Sequence, residues 1–143
     1  MRKITLRPAV PGEEARWLFW DHHLPRERFR ELTETGRALW ICGGEEKAGL
    51  LRWGYFWDET PFLTLIWPHE SCRGEGAGRA AMALWEDSLR KAGCRAAMTS
   101  TQADEGAQHF YRKLGYRDTG SLILTLPGFE QPTELILIKP LTE

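Results

Sequence analysis

The chain has 143 residues, 42% apolar and 27% charged, which is the profile of one globular domain with a sizeable core rather than a disordered tract. Nineteen Lys and Arg offset twenty Asp and Glu, so charge selects neither nucleic acid nor a membrane as partner, and no apolar run approaches the roughly 20 residues of a spanning helix. The opening "MRKITLRPAV" lacks the apolar core of a signal peptide, and three widely spaced cysteines (Cys42, Cys72 and Cys94) read as free thiols in a reducing cytoplasm.

Residues 2–7 alternate, with Ile4 and Leu6 on one face, and predict a first strand. "PGEEARWLFWDHH" puts two acids in a first helical turn and offers Trp17, Leu18 and Trp20 for burial. Pro25 suits the first turn of a second helix, "PRERFRELTET", which ends at Gly36. "ALWIC", the turn "GGEEK" and "AGLLRWGYFW" predict a hairpin, and "DETP" turns the chain into the strand "FLTLIW". After the glycine-rich "CRGEGAG", Ala77, Ala81, Leu84, Trp85, Ser88 and Ala92 share one helical face. Glu86 with Arg90 and Asp87 with Lys91 form outer pairs, and Gly93 stops the helix. "RAAMTS" reads as a strand. Thr101 and Asp104 then read as a capping box for a helix that buries Ala107, Phe110, Tyr111 and Leu114 before Gly115. "SLILTL" and "ELILIK" close the chain as a hairpin around "PGFEQPT". The order β α α β β β α β α β β joins a parallel strand–helix–strand unit to antiparallel hairpins, which predicts a mixed α/β (α+β) sheet.

Three glycines in seven residues at "CRGEGAG" need a reason, because glycine loses more backbone entropy on folding than any other residue. One reading is a tight turn packed on the sheet. The other is a backbone kept bare before a helix N-terminus, where unpaired N–H groups and the dipole favour phosphate, with Arg73 and Arg79 adding charge. "GRAA" lacks the Gly-Lys-Ser/Thr ending of a P-loop. "GAGRAA" satisfies the loose dinucleotide pattern, but the next strand ends "AAMTST" without the ribose-binding acid.

Two segments resemble one family. "RGEGAG" fits the Arg/Gln-x-x-Gly-x-Gly/Ala signature of the GNAT superfamily of acyl-CoA-dependent N-acyltransferases, and "ADEGAQHFYRKLGY" is similar to its second hallmark. "ITLRPA" resembles the common opening, so the likeness spans nearly the whole chain as a single domain over 1–143. The resemblance implies a splayed sheet with helices on both faces and acetyl-CoA as co-substrate, without a metal. It places the pyrophosphate on Arg73, Gly74, Glu75, Gly76, Ala77, Gly78 and Arg79, and the pantetheine arm along Ile66, Trp67 and Pro68. Asp104 stands where the family often has an asparagine that holds the pantetheine, and an ionised carboxylate cannot donate. Pro68 lacks the N–H that often serves the cofactor there, and Glu70 replaces a common proline.

Tyr111 resembles the family's general acid, and a core tyrosine is the competing reading of the same residue. For the base, some relatives carry a glutamate early on the fourth strand where this chain has Phe62. Asp58, Glu59, His69, Glu70 and a water chain remain candidates. No second spaced pair completes a zinc site around His22 and His23 or "HESC", and direct attack on a thioester needs no relay through Cys72. Most of the seven tryptophans read as core, while "WLFWDHH", "WGYFWDE" and Trp67, with Asp21, Asp58 or Glu59 adjacent, offer an aromatic pocket for a cationic amine. The expected function is a cytoplasmic acetyltransferase acting on a small-molecule or peptide amine, with a homodimer left open. The alternative is a non-catalytic acyl-CoA-binding or sensing domain of the same fold.

Overall fold

A computed structural model describes residues 2–142. The chain folds as β1 (Ile4–Pro8), α1 (Glu14–Trp20), α2 (Arg26–Glu34), β2 (Ala38–Gly43), β3 (Glu46–Phe56), β4 (Thr60–Pro68), a 3₁₀ turn (Glu70–Cys72), α3 (Ala77–Lys91), β5 (Ala96–Gln102), α4 (Ala107–Lys113), β6 (Arg117–Leu122) and β7 (Glu134–Pro140). The strands form one mixed seven-stranded sheet in the order β1-β2-β3-β4-β5-β7-β6. By packing, the chain divides into two compact units. One holds the chain up to Gly54 with Leu65–Trp85, and the other holds Tyr55–Thr64 with the chain from Glu86.

In the first unit, β1 and β3 flank β2 in antiparallel register, from Ile4 opposite Gly43 and from Ala38 opposite Arg52. Trp17 of α1, Phe29 of α2 and Trp40 of β2 are fully buried and meet ring to ring, Trp17 lying 5.4 Å from Phe29 and 4.9 Å from Trp40. Burying such rings is the strongest term available to short helices that could not stand alone in water. Between Ile41 and Cys42 the β2–β3 register slips by one residue. Ala48 is the extra residue of this bulge, and a bulge re-aims the local backbone.

In the second unit, β5 runs parallel to β4 at Phe62–Met98 and Leu63–Thr99, and antiparallel to β7 from Ala96–Pro140 to Gln102–Glu134. Thr99 donates its hydroxyl proton to the Leu63 carbonyl at 3.1 Å. β6 closes the edge against β7.

Three expectations are corrected. The last hairpin's first strand is Arg117–Leu122 rather than 121–126, because pairing with β7 is already complete at Leu122 opposite Glu134. Ile123 and Leu126, apolar but 69% and 64% exposed, lie in the connection. The α3 stripe is rotated: Ala77, Ala81, Met82, Trp85, Glu86 and Leu89 are buried, whereas Leu84, Ser88 and Ala92 are exposed. Glu86 faces inward because it accepts from Tyr116 Oη at 2.9 Å and Lys139 Nζ at 2.6 Å, while Arg90 pairs instead with Asp87. Finally, Thr101 is buried in β5 and α4 starts only at Ala107, so the Thr101–Asp104 capping box does not form. Gln108 braces the intervening turn, donating to the carbonyls of Ala103 and Glu105.

Candidate functional site

In the first unit the β3 bulge positions the end of β4. The Ala48 carbonyl accepts from His69 N–H at 2.7 Å and lies 3.1 Å from Cys72 Sγ. At Gly49 the strands approach so closely that any Cβ would collide with the Trp67 carbonyl and the Pro68 backbone. Sequence reading passed over Gly49; a glycine inside an otherwise apolar strand was the available signal. Ile66, Trp67 and Pro68 are half-buried on this strand end.

His69 caps the 3₁₀ turn, with Nδ1 accepting from Ser71 N–H at 3.1 Å. The lone pair of the neutral ring is thereby engaged, which disfavours His69 as the base. Cys72 is fully buried, and desolvation with Glu75 nearby pushes its thiol up, so it stays a neutral packing group. Cys72 and Ala77 pack on Ala48 and anchor the glycine segment from below.

The segment itself stands open. Gly74 and Gly76 have φ of +87° and +74°, a conformation that L side chains rarely adopt, and a Cβ on either would meet nothing within 4 Å. Gly78 lies inside the first turn of α3. Glu75 is turned to Arg2 at 3.1 Å, and Arg73 Nε donates weakly to the Pro68 carbonyl at 3.4 Å. The first α3 bond runs from Ala80 N–H to the Gly76 carbonyl at 2.9 Å, which leaves the N–H groups of Ala77, Gly78 and Arg79 without an intrahelical acceptor. Helix starts usually carry acids; this first turn has none and carries exposed Arg79 instead. Open space, unpaired donors, dipole and two arginines fit a pyrophosphate.

In the second unit Tyr111 is 7% exposed, its ring 5.4 Å from Phe110 and 5.8 Å from Tyr116. Burial pushes its phenol up, against a lowering contribution from the Thr99 hydroxyl, so it keeps its proton at neutral pH. Asp104 is exposed in the turn before α4. Phe62 is half-buried against Phe56 at 6.4 Å, while Asp58 and Glu59 are exposed in the β3–β4 turn.

Asp21 does not serve as the expected lure for a cationic amine. It is buried and accepts from Trp17 Nε1 at 3.0 Å and Arg52 Nε at 2.7 Å, which neutralises it. Of the tryptophans, Trp17, Trp40 and Trp85 are core, whereas Trp57 is 85% exposed. A pocket of about 440 Å³ lies along α1, lined by Ala15, Arg16, Phe19 and Trp20. Among the described residues no group of three or more His, Cys, Asp or Glu is placed to hold a metal ion, and no helix is long and apolar enough to cross a membrane.

The sequence model of the Acetyltransferase (GNAT) family matches residues 8–116. A search among curated proteins finds no match. Among solved structures, Ard1 from Thermoplasma volcanium is similar with a TM-score of 0.80 at 15% identity, covering 98% of this chain and 99% of that one. A GNAT family acetyltransferase from Elizabethkingia anophelis with acetyl-CoA bound gives 0.75 at 19%, covering 96% and 97%. The ribosomal-protein-S18-alanine N-acetyltransferase from Escherichia coli gives 0.77 at 17%, covering 99% and 96%. At these identities the likeness is one of fold.

Proposed function

The chain belongs to the Acetyltransferase (GNAT) family, and from that premise we propose that it acts as one domain that transfers acetyl from acetyl-CoA to a primary amine of a small molecule or peptide. The observation that carries this reading is the glycine segment before α3, open in front of Gly74 and Gly76 and followed by helix N–H groups without a backbone acceptor. Acetyl-CoA supplies an acyl group already activated as a thioester, so the protein's own work is positioning and proton transfer. Arg73, Gly74, Glu75, Gly76, Ala77, Gly78 and Arg79 hold the pyrophosphate, and the strand end Ile66, Trp67 and Pro68 supports the pantetheine arm. Asp104 contributes through water, since its carboxylate can only accept. Tyr111 acts as general acid, a role its protonated, buried phenol suits. The pool of free cysteines and the balanced charge fit a cytoplasmic setting.

Acetyl-CoA-dependent release of free thiol, measured across a panel of amines, tests the proposal. Release that depends on a primary amine is expected. Tight acetyl-CoA binding with no release for any amine would instead favour the sensing domain, a reading helped by Phe62 standing where some relatives have a carboxylate.

A further inference from the structure

The face of α1 away from Trp17 is only partly used by the core, through Trp20, which packs against Trp40 at 6.1 Å. Ala15, Arg16, Phe19 and Trp20, at helical spacing along two turns, line the pocket of about 440 Å³, at the small end of the range for bound small molecules. Phe19 is 78% exposed, an unsatisfied apolar surface. Trp20 forms the fixed wall, its ring 5.0 Å from Trp67 and stacked on His69 at 5.2 Å. Trp67 sits at the end of β4, so one ring contact links the pocket to the strand proposed for the pantetheine arm.

The charge of the pocket is positive. Arg7, Arg30 and Arg52 of the same unit each hold a carboxylate, at 3.0, 3.9 and 2.7 Å, and thereby occupy Glu13, Glu14 and Asp21. Among the described residues Arg16 forms no ion pair. Aromatic walls beside an unpaired guanidinium complement an apolar anion and repel a polycation.

We propose that this is the acceptor pocket and that it takes a free apolar α-amino acid, with the side chain against Phe19 and Trp20 and the carboxylate on Arg16. The proposal rests on the transferase reading. The α-amine attacks the thioester carbonyl, a C–N bond forms, the C–S bond breaks, and the proton lost by nitrogen is balanced by one gained at sulfur. The products are the N-acetyl amino acid and free CoA thiol. A free amino acid is preferred over a peptide because only the former keeps, beside the reacting amine, an α-carboxylate for Arg16.

The test compares thiol release with L-phenylalanine, L-phenylalaninamide, spermidine and the amidated tetrapeptide Phe-Ala-Ala-Ala, in wild type, Arg16→Gln and Phe19→Ala. Calorimetric titration of phenylalanine into CoA-saturated protein gives a second readout. Phenylalanine should exceed its amide and spermidine by about tenfold or more in kcat/KM. Arg16→Gln should erase that margin through KM, and Phe19→Ala should raise KM, while acetyl-CoA affinity is unchanged in both. Preference for spermidine or the tetrapeptide, or indifference to Arg16→Gln, overturns the pocket while leaving transfer intact. Phenylalanine binding that Arg16→Gln abolishes, without transfer to any amine, upholds the pocket and removes the transferase reading instead.

Discussion

Tyr111, the proposed general acid, is a buried phenol. A phenol with an ordinary pKa near 10 lies close to a thiol, so proton transfer to a departing thiolate carries little penalty. Burial raises it, which secures the protonated form at pH 7 but makes the phenol a weaker donor than an exposed one. Tyr111→Phe keeps the ring and its packing on Tyr116, so folding and acetyl-CoA binding should survive while single-turnover transfer slows by about 10²–10⁴-fold. A wild-type rate in that variant would return Tyr111 to the core and assign the proton to water. Glu13 shows the opposite shift. Partial burial resists its ionisation, but donors from Trp40, the Val10 N–H, Arg7 and Lys47 outweigh that and hold its carboxyl at about 2 instead of 4.5. A depressed carboxyl contributes stability above its unfolded value and loses it as pH falls through its folded value. Between about pH 5 and 2 the protein should therefore lose on the order of 1–3 kcal/mol through this group. Thermal melts of Glu13→Gln across that range should be flatter than those of the wild type; parallel curves would remove Glu13 from the acid transition.

At the level of elements, the glycine segment is a case where two requirements coincide. Positive φ at Gly74 and Gly76 already excludes most side chains, and the open space in front of both is what an anion needs. Gly76→Ala and Gly76→Val separate the two. Both carry the left-handed strain, about 1–2 kcal/mol, but only the larger, β-branched side chain reaches far over the N–H groups. Calorimetry on folded protein should show acetyl-CoA affinity falling tenfold or more for Gly76→Val and less for Gly76→Ala. Unchanged affinity in the valine variant would reduce the segment to a turn. The element order and this segment were legible because glycine placement and period-2 alternation are local signals. The rotated stripe of α3 was not, since Glu86 belongs inside only because Tyr116 and Lys139, thirty and fifty-three residues away, come to meet it. The apolar run after Leu122 misled for the same reason: pairing with β7, a tertiary fact, ended the strand while hydrophobic periodicity continued. Gly49 was missed because its meaning lies in the neighbouring strand.

For the molecule as a whole, the proposed co-substrate becomes a stability term. A ligand that binds only the folded chain adds RT ln(1 + [L]/Kd), roughly 2.7 kcal/mol at a hundredfold excess over Kd. For a chain of this size each kcal/mol moves the midpoint by roughly 3–5 °C, so acetyl-CoA at that excess should raise Tm by about 10 °C. Free CoA presents the same pyrophosphate and pantetheine to Gly74–Arg79 and β4, and should retain most of the shift. NAD and ATP also bring phosphates, and a cradle selective only for negative charge would respond to them equally. The strand expected to carry a ribose-binding acid ends Thr99-Ser100-Thr101-Gln102, without one, and the segment lacks a P-loop lysine. Their shifts should accordingly stay within a degree or two at matched concentration. Equal shifts for all four nucleotides would mean a general anion site, and a shift with NAD alone would overturn the acyl-CoA assignment. In either of those cases Gly76→Val would still abolish the response, which separates the identity of the ligand from the location of its site.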